Sequence, residues 1–66
     1  MEIVLNGERR ETPEGQSLRD LICSLELPTE AVVIERNGEI VDRFHYETVV
    51  LSQGDIVEIV RMVGGG

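Results

Sequence analysis

The chain contains no lysine and no tryptophan, one cysteine, one histidine and two other aromatic residues, Phe44 and Tyr46. Each scarcity removes a class of function. Without lysine there is no phosphate loop of the Walker type, which needs that ammonium after its glycines. One cysteine excludes an internal disulfide framework, and Cys23 with His45 alone cannot close a zinc site. No apolar run exceeds four residues, so neither a transmembrane helix nor the core of a signal peptide is present. These absences point to a reducing, cytoplasmic setting. The six basic residues, all arginine, are scattered among thirteen acids, and the formal net charge is -7. Nucleic acid and anionic membrane, which require clustered cations, are therefore poor partners. A chain this acidic docks more readily against basic rims of other proteins.

Sixty-six residues make one domain. A chain of that size buries only roughly 60% of the surface it exposes when unfolded. The 41% hydrophobic content must therefore serve almost entirely as core, filled by Val, Ile and Leu, with no space left for a cofactor cavity. No repeat or low-complexity segment interrupts it.

Residues 1–5 alternate as a strand, and Asn6-Gly7 follows as a hairpin signal, because both central positions of a type I′ turn need positive φ. Residues 8–12 return as a polar edge strand, closed by a turn at Pro13-Glu14-Gly15. Ser17 stands as an N-cap with Asp20 in the capping-box position. Leu18, Leu21, Ile22 and Leu25 then fall at i, i+3, i+4 and i+7, the apolar stripe of one amphipathic helix. Leu27-Pro28 is expected to end it, since the residue before proline avoids the helical region. Residues 31–35 form a strand with Val32 and Ile34 as core pair, and Asn37-Gly38 turns into a short strand over 39–41. Residues 42–48 read as a loop with a helical turn, 52–55 as a turn, and 56–63 as the last strand. The order is ββαβββ, an α+β arrangement with one helix packed on a mixed sheet of four or five strands. The first and last strands are expected to lie adjacent and parallel.

The final strand has apolar residues on both faces. If Val57, Ile59 and Val63 face the helix, then Ile56, Val60 and Met62 face the other way. A single sheet has nothing of its own to cover that side, and an exposed apolar patch marks a partner site. Val4 is a candidate for the same patch.

Cys23 lies off the helical stripe and mid-helix, with neither a base nor a helix N-terminus to activate it, and reads as incidental. His45 and Tyr46 read as a solvated or packed pair rather than an acid and base. Glu8, Glu11, Glu14, Glu26 and Glu30 have no calcium-loop spacing and read as solvated surface.

Two hairpins around a helix, Gly54-Asp55-Ile56-Val57-Glu58-Ile59-Val60, a terminal Gly run, the opening Met1-Glu2-Ile3-Val4-Leu5-Asn6-Gly7 and Glu14-Gly15-Gln16-Ser17-Leu18 together resemble the ThiS family. These are sulfur carriers of thiamine biosynthesis with the ubiquitin-like β-grasp fold. The resemblance covers the whole chain and divides it into a domain over 1–63 and a flexible tail over 64–66. It implies that the chain is a carrier and not an enzyme. An E1-like adenylyltransferase (ThiF type), using ATP and magnesium, would adenylate the carboxylate of Gly66. A sulfur donor enzyme would convert it to a thiocarboxylate, and a thiazole synthase (ThiG type) would receive the sulfur for the thiazole ring. The chain itself would bind no cofactor and no metal. Gly65 and Gly66 would thread narrow active sites, where a Cβ would clash, with Gly64 in support. Ile56, Val60, Met62 and Val63 would form the partner-binding face. The alternatives are a carrier for molybdopterin or another sulfur pathway with the same chemistry at Gly66, a ubiquitin-like modifier, and a β-grasp interaction module with an inert tail.

Overall fold

A computed structural model describes residues 1–62. Strands β1 (Glu2–Leu5), β2 (Glu8–Glu11), β3 (Val32–Arg36), β4 (Glu39–Val41) and β5 (Ile56–Arg61) and one helix, α1 (Leu18–Ser24), follow in the order ββαβββ. Single 3₁₀ turns occupy Thr29–Ala31 and Arg43–His45. The five strands form one sheet in the order β2-β1-β5-β3-β4. β1 and β5 run parallel at its centre, as expected, and every other pair is antiparallel. The polar strand β2 lies at an edge, where its exposed side chains need no cover.

Both Asn-Gly pairs turn as their chemistry requires, with positive φ at Asn6 and Gly7 and again at Asn37 and Gly38. At the start of α1 the reciprocal cap forms. The Asp20 N–H donates to Ser17 Oγ and the Ser17 N–H donates to Asp20 Oδ2, both at 3.1 Å. Aspartate is thus long enough to close the box.

The end of α1 corrects the sequence reading. The helix stops at Ser24, before Leu27-Pro28. Glu26 takes the left-handed conformation (φ 58°), and the Glu26 and Leu27 N–H groups donate to the carbonyls of Cys23 and Ile22 at 3.0 and 3.2 Å. That is the bonding of a Schellman stop, normally made by glycine. The last strand is likewise shorter than expected: β5 ends at Arg61, and Val63 lies outside the described residues, as do Gly64, Gly65 and Gly66.

The core lies between α1 and one face of the sheet. Leu18, Leu21 and Ile22 from the helix pack with Ile3, Val32, Ile34, Val57 and Ile59 from the strands, and Leu25 is half-buried against them. Tyr46 and Leu51, from the irregular segment between β4 and β5, complete the cluster, and the Tyr46 hydroxyl donates to the Val32 carbonyl at 3.3 Å. Burying each large aliphatic side chain contributes about 1.5–3 kcal/mol, so a domain this small depends on nearly all of them.

Candidate functional site

β5 is the strand that runs toward the glycine tail, and it is fixed from both sides along its length. Val4 and Asn6 donate backbone N–H bonds at 2.9 Å to the carbonyls of Asp55 and Val57. β1 then turns away, and the Asn6 side chain takes over its next rung. Asn6 Nδ2 donates to the Ile59 carbonyl at 3.3 Å, and the Ile59 N–H donates to Asn6 Oδ1 at 2.8 Å. A side-chain amide, with a donor and an acceptor, thus replaces a backbone peptide in the ladder.

The second Asn-Gly turn grips the start of the same strand. The Ile56 N–H donates to Asn37 Oδ1 at 2.9 Å, the Asn37 N–H donates to the Ile56 carbonyl at 2.7 Å, and Asn37 Nδ2 donates to Asp55 Oδ1 at 3.1 Å. Asp55 is buried and also accepts from Arg36 Nε and from the Ser52 N–H, both at 2.8 Å. Burial alone pushes the Asp55 carboxyl up. The Ser52 N–H, the Asn37 amide and the Arg36 guanidinium outweigh that and hold it below the usual aspartate range. The Gly54-Asp55 turn is therefore a polar anchor from which β5 departs in a set direction.

The alternation along β5 follows the sequence reading. Val57 and Ile59 are buried, while Ile56, Val60 and Met62 are 54%, 59% and 57% exposed. Register places Val4 beside Ile56 and Val33 beside Val60 on the same face, and Ile40 of β4 beside Glu35. Ile40 is 71% exposed. The face opposite the helix therefore carries an apolar patch across four strands, and nothing among the described residues covers it. Of the expected partner-binding residues, Ile56, Val60 and Met62 lie along this patch; Val63 lies outside the described residues, as do Gly64, Gly65 and Gly66.

The remaining chemistry-bearing side chains do not converge. Cys23 is a free, exposed thiol, and His45 is exposed in its 3₁₀ turn. Glu8, Glu11, Glu14, Glu26 and Glu30 are all exposed. Among the described residues no three His, Cys, Asp or Glu side chains gather as metal ligands, and no helix is long and apolar enough to cross a membrane. Sequence reasoning missed the contacts that Asn6, Asn37 and Asp55 make with β5 and its start; it took all three for turn residues, and Asn6 and Asp55 also for parts of family motifs.

Comparison with known proteins places this architecture. The sequence pattern of the ThiS family matches residues 3–66. The chain is 42% identical over 50 residues to the sulfur carrier protein ThiS of Bacillus subtilis, covering 76% of each. It is 41% identical over all 66 residues to a thiazole synthase of Magnetococcus marinus, of whose length it spans 20%. The thiazole synthase of Paramagnetospirillum magneticum is 38% identical over the same span and share. The crystal structure of the thiamine biosynthesis protein (ThiS) from Geobacter metallireducens superposes with a TM-score of 0.85, covering all of both chains at 29% identity. The five-stranded mixed sheet with one helix is the ubiquitin-like β-grasp fold of that protein, and the chain belongs to the ThiS family.

Proposed function

We propose that the chain is a sulfur carrier for thiazole formation in thiamine biosynthesis, with the carboxylate of Gly66 as the atom group that reacts. The observation that carries this reading is the family match running through residue 66, on a domain whose central strand is anchored at its start and directed toward that terminus. A carboxylate is a poor electrophile because it has no good leaving group. An adenylating enzyme of the ThiF type, with ATP and magnesium, forms the mixed anhydride with AMP and releases pyrophosphate. The donor enzyme's persulfide displaces AMP, which departs with one carboxyl oxygen, to give an acyl disulfide. A second thiol then cleaves its S–S bond, becoming a disulfide with the donor cysteine and leaving the sulfur on the chain. The thiocarboxylate so formed is a soft nucleophile on a protein handle, and a thiazole synthase of the ThiG type accepts its sulfur. Two relatives named thiazole synthase contain a segment similar to this whole chain, which supports that enzyme as the acceptor.

In this reading the chain is a protein substrate rather than a catalyst and works in the cytoplasm. Residues 1–63 are its folded handle and residues 64–66 its reactive tail. ATP and magnesium belong to the activating enzyme. The handle contributes recognition: Ile56, Val60, Met62 and Val63 seat the domain on its partners, and Gly64, Gly65 and Gly66 pass through a channel too narrow for side chains. The test is an intact mass after incubation with a ThiF-type enzyme, ATP, magnesium, a persulfide donor and a thiol reductant. A gain equal to sulfur replacing oxygen, localised to Gly66 and absent when Gly65-Gly66 are removed, is the expected result. No gain with an enzyme that activates other ThiS proteins overturns it.

A further inference from the structure

Glu35 and Glu58 stand directly opposite each other in the register of β3 and β5. The alternation that buries Ile34, Val57 and Ile59 turns both carboxylates to the open face, where both are exposed. Opposed residues of neighbouring strands have their Cβ atoms about 4.5–5.5 Å apart, and like charges there are destabilising. The other opposed acids of this face, Glu2 and Glu11, have the terminal ammonium 3.8 Å from Glu11. Glu35 and Glu58 have no such relief: among the described residues neither takes part in an ion pair. The pair is ringed by apolar side chains, with Ile40 across from Glu35, Ile56 and Val60 two residues either side of Glu58, and Val33 beside Val60.

We infer that the open face docks an apolar partner surface that carries an arginine at its centre, seated between Glu35 and Glu58. This deepens, and rests on, the carrier reading above. A guanidinium presents five N–H donors in one plane, enough to reach both carboxylates while its flat faces lie against the surrounding aliphatic groups. The charge of the face selects the occupant. Glu2, Glu11, Glu35 and Glu58 share it with one arginine, Arg9, so a second copy of this chain would set four acids against four. Two carboxylates without a third ligand suit a divalent cation poorly. The acidic pair supplies selectivity where the apolar patch supplies area, because an uncompensated pair of carboxylates rejects apolar surfaces that bring no cation.

The test uses the full chain with Glu35→Gln/Glu58→Gln and with Glu35→Arg/Glu58→Arg. Carrier-dependent ATP–pyrophosphate exchange by a ThiF-type enzyme and calorimetric binding to a ThiG-type thiazole synthase are measured at low and high salt. The double reversal is expected to weaken apparent affinity about tenfold or more for at least one enzyme, with the glutamine pair intermediate. The exchange rate at saturation stays unchanged and the salt dependence flattens. The glutamine pair keeps or raises the thermal midpoint, since it removes a repulsion. Unaltered affinity in the reversal overturns the inference while leaving the carrier reading in place. A wild-type chain that is neither activated nor bound overturns both. A lowered midpoint in the glutamine pair reveals an internal partner. A calcium- or magnesium-dependent rise in midpoint, confined to the wild type, reveals a metal site. Either result also overturns the inference.

Discussion

The two faces of β5 are built from the same aliphatic chemistry and meet different surroundings. Val57 and Ile59 are buried under α1, and Ile56 and Val60, one residue away on the same backbone, are more than half exposed. A globular domain of this size has few apolar residues to spare. Placing these two, with Met62, in contact with water forgoes burial worth about 25 cal/mol per Å². The helix face holds the domain together, and the open face is left uncovered among the described residues. Strand alternation lets one short segment present both faces, because a side chain's surroundings are set by the parity of its position.

The buried side carries the largest expected effect. Ile59→Ala removes aliphatic atoms from a buried position in the core and is expected to cost about 2–4 kcal/mol, a large share of the stability of a small domain. Denaturant unfolding followed by circular dichroism measures it. A loss below about 1 kcal/mol would mean that α1 does not close over β5 as tightly as the buried positions indicate, and the contrast between the faces would weaken.

The anchor at the start of β5 is expected to matter next. Asp55→Asn keeps an acceptor for the Ser52 N–H but removes the charge that pairs with Arg36, and a cost of about 1–3 kcal/mol follows. Because the folded-state pKa of Asp55 lies below its unfolded value, the unfolded chain binds the proton more readily. The stabilisation from this carboxylate is therefore fully present above the ordinary aspartate pKa of about 3.9 and is lost as pH falls through the lower folded value. Urea midpoints taken down this acid range should fall in the wild type and fall less in the variant. Parallel acid limbs would assign the loss to other carboxylates.

What the sequence disclosed and what it hid follow from how far each signal reaches. The stripe Leu18, Leu21, Ile22 and the alternation from Ile56 to Val60 are periodic, so they reveal both the element and its buried side. The Asn6-Gly7 and Asn37-Gly38 pairs reveal turns, because the signal is a demand on φ. They do not reveal that each asparagine amide reaches β5, more than fifty residues away for Asn6. Asp55 read as part of a turn, since Arg36, the partner that makes its burial affordable, sits in the other hairpin. Tyr46 and Leu51 belong to a segment without period, which offers no face to assign. The early helix stop was hidden because Glu26 occupies a left-handed position that a glycine would have announced. The open face was legible as far as its apolar residues; Glu58, read only as part of a family motif, gained a partner when the register set it opposite Glu35.

The smallest expected change in stability is at Val60, and it is the sharpest test of the division between faces. Val60→Ser removes two methyl groups that are already largely in water and leaves the pairing with Val33 to the backbone. Serine has lower strand propensity than valine, which sets a cost of no more than about 0.5–1 kcal/mol. If the open face is a docking surface, the same change raises the KM for carrier in the adenylation reaction while the rate at saturation holds, because the reacting carboxylate is untouched. Measured side by side, Ile59→Ala and Val60→Ser should then separate: one lowers the unfolding midpoint with little effect on KM at a temperature where it is folded, the other does the reverse. A Val60 variant as unstable as Ile59→Ala would show that the exposed side of β5 supports the fold. One that is stable and fully competent would move the docking surface elsewhere.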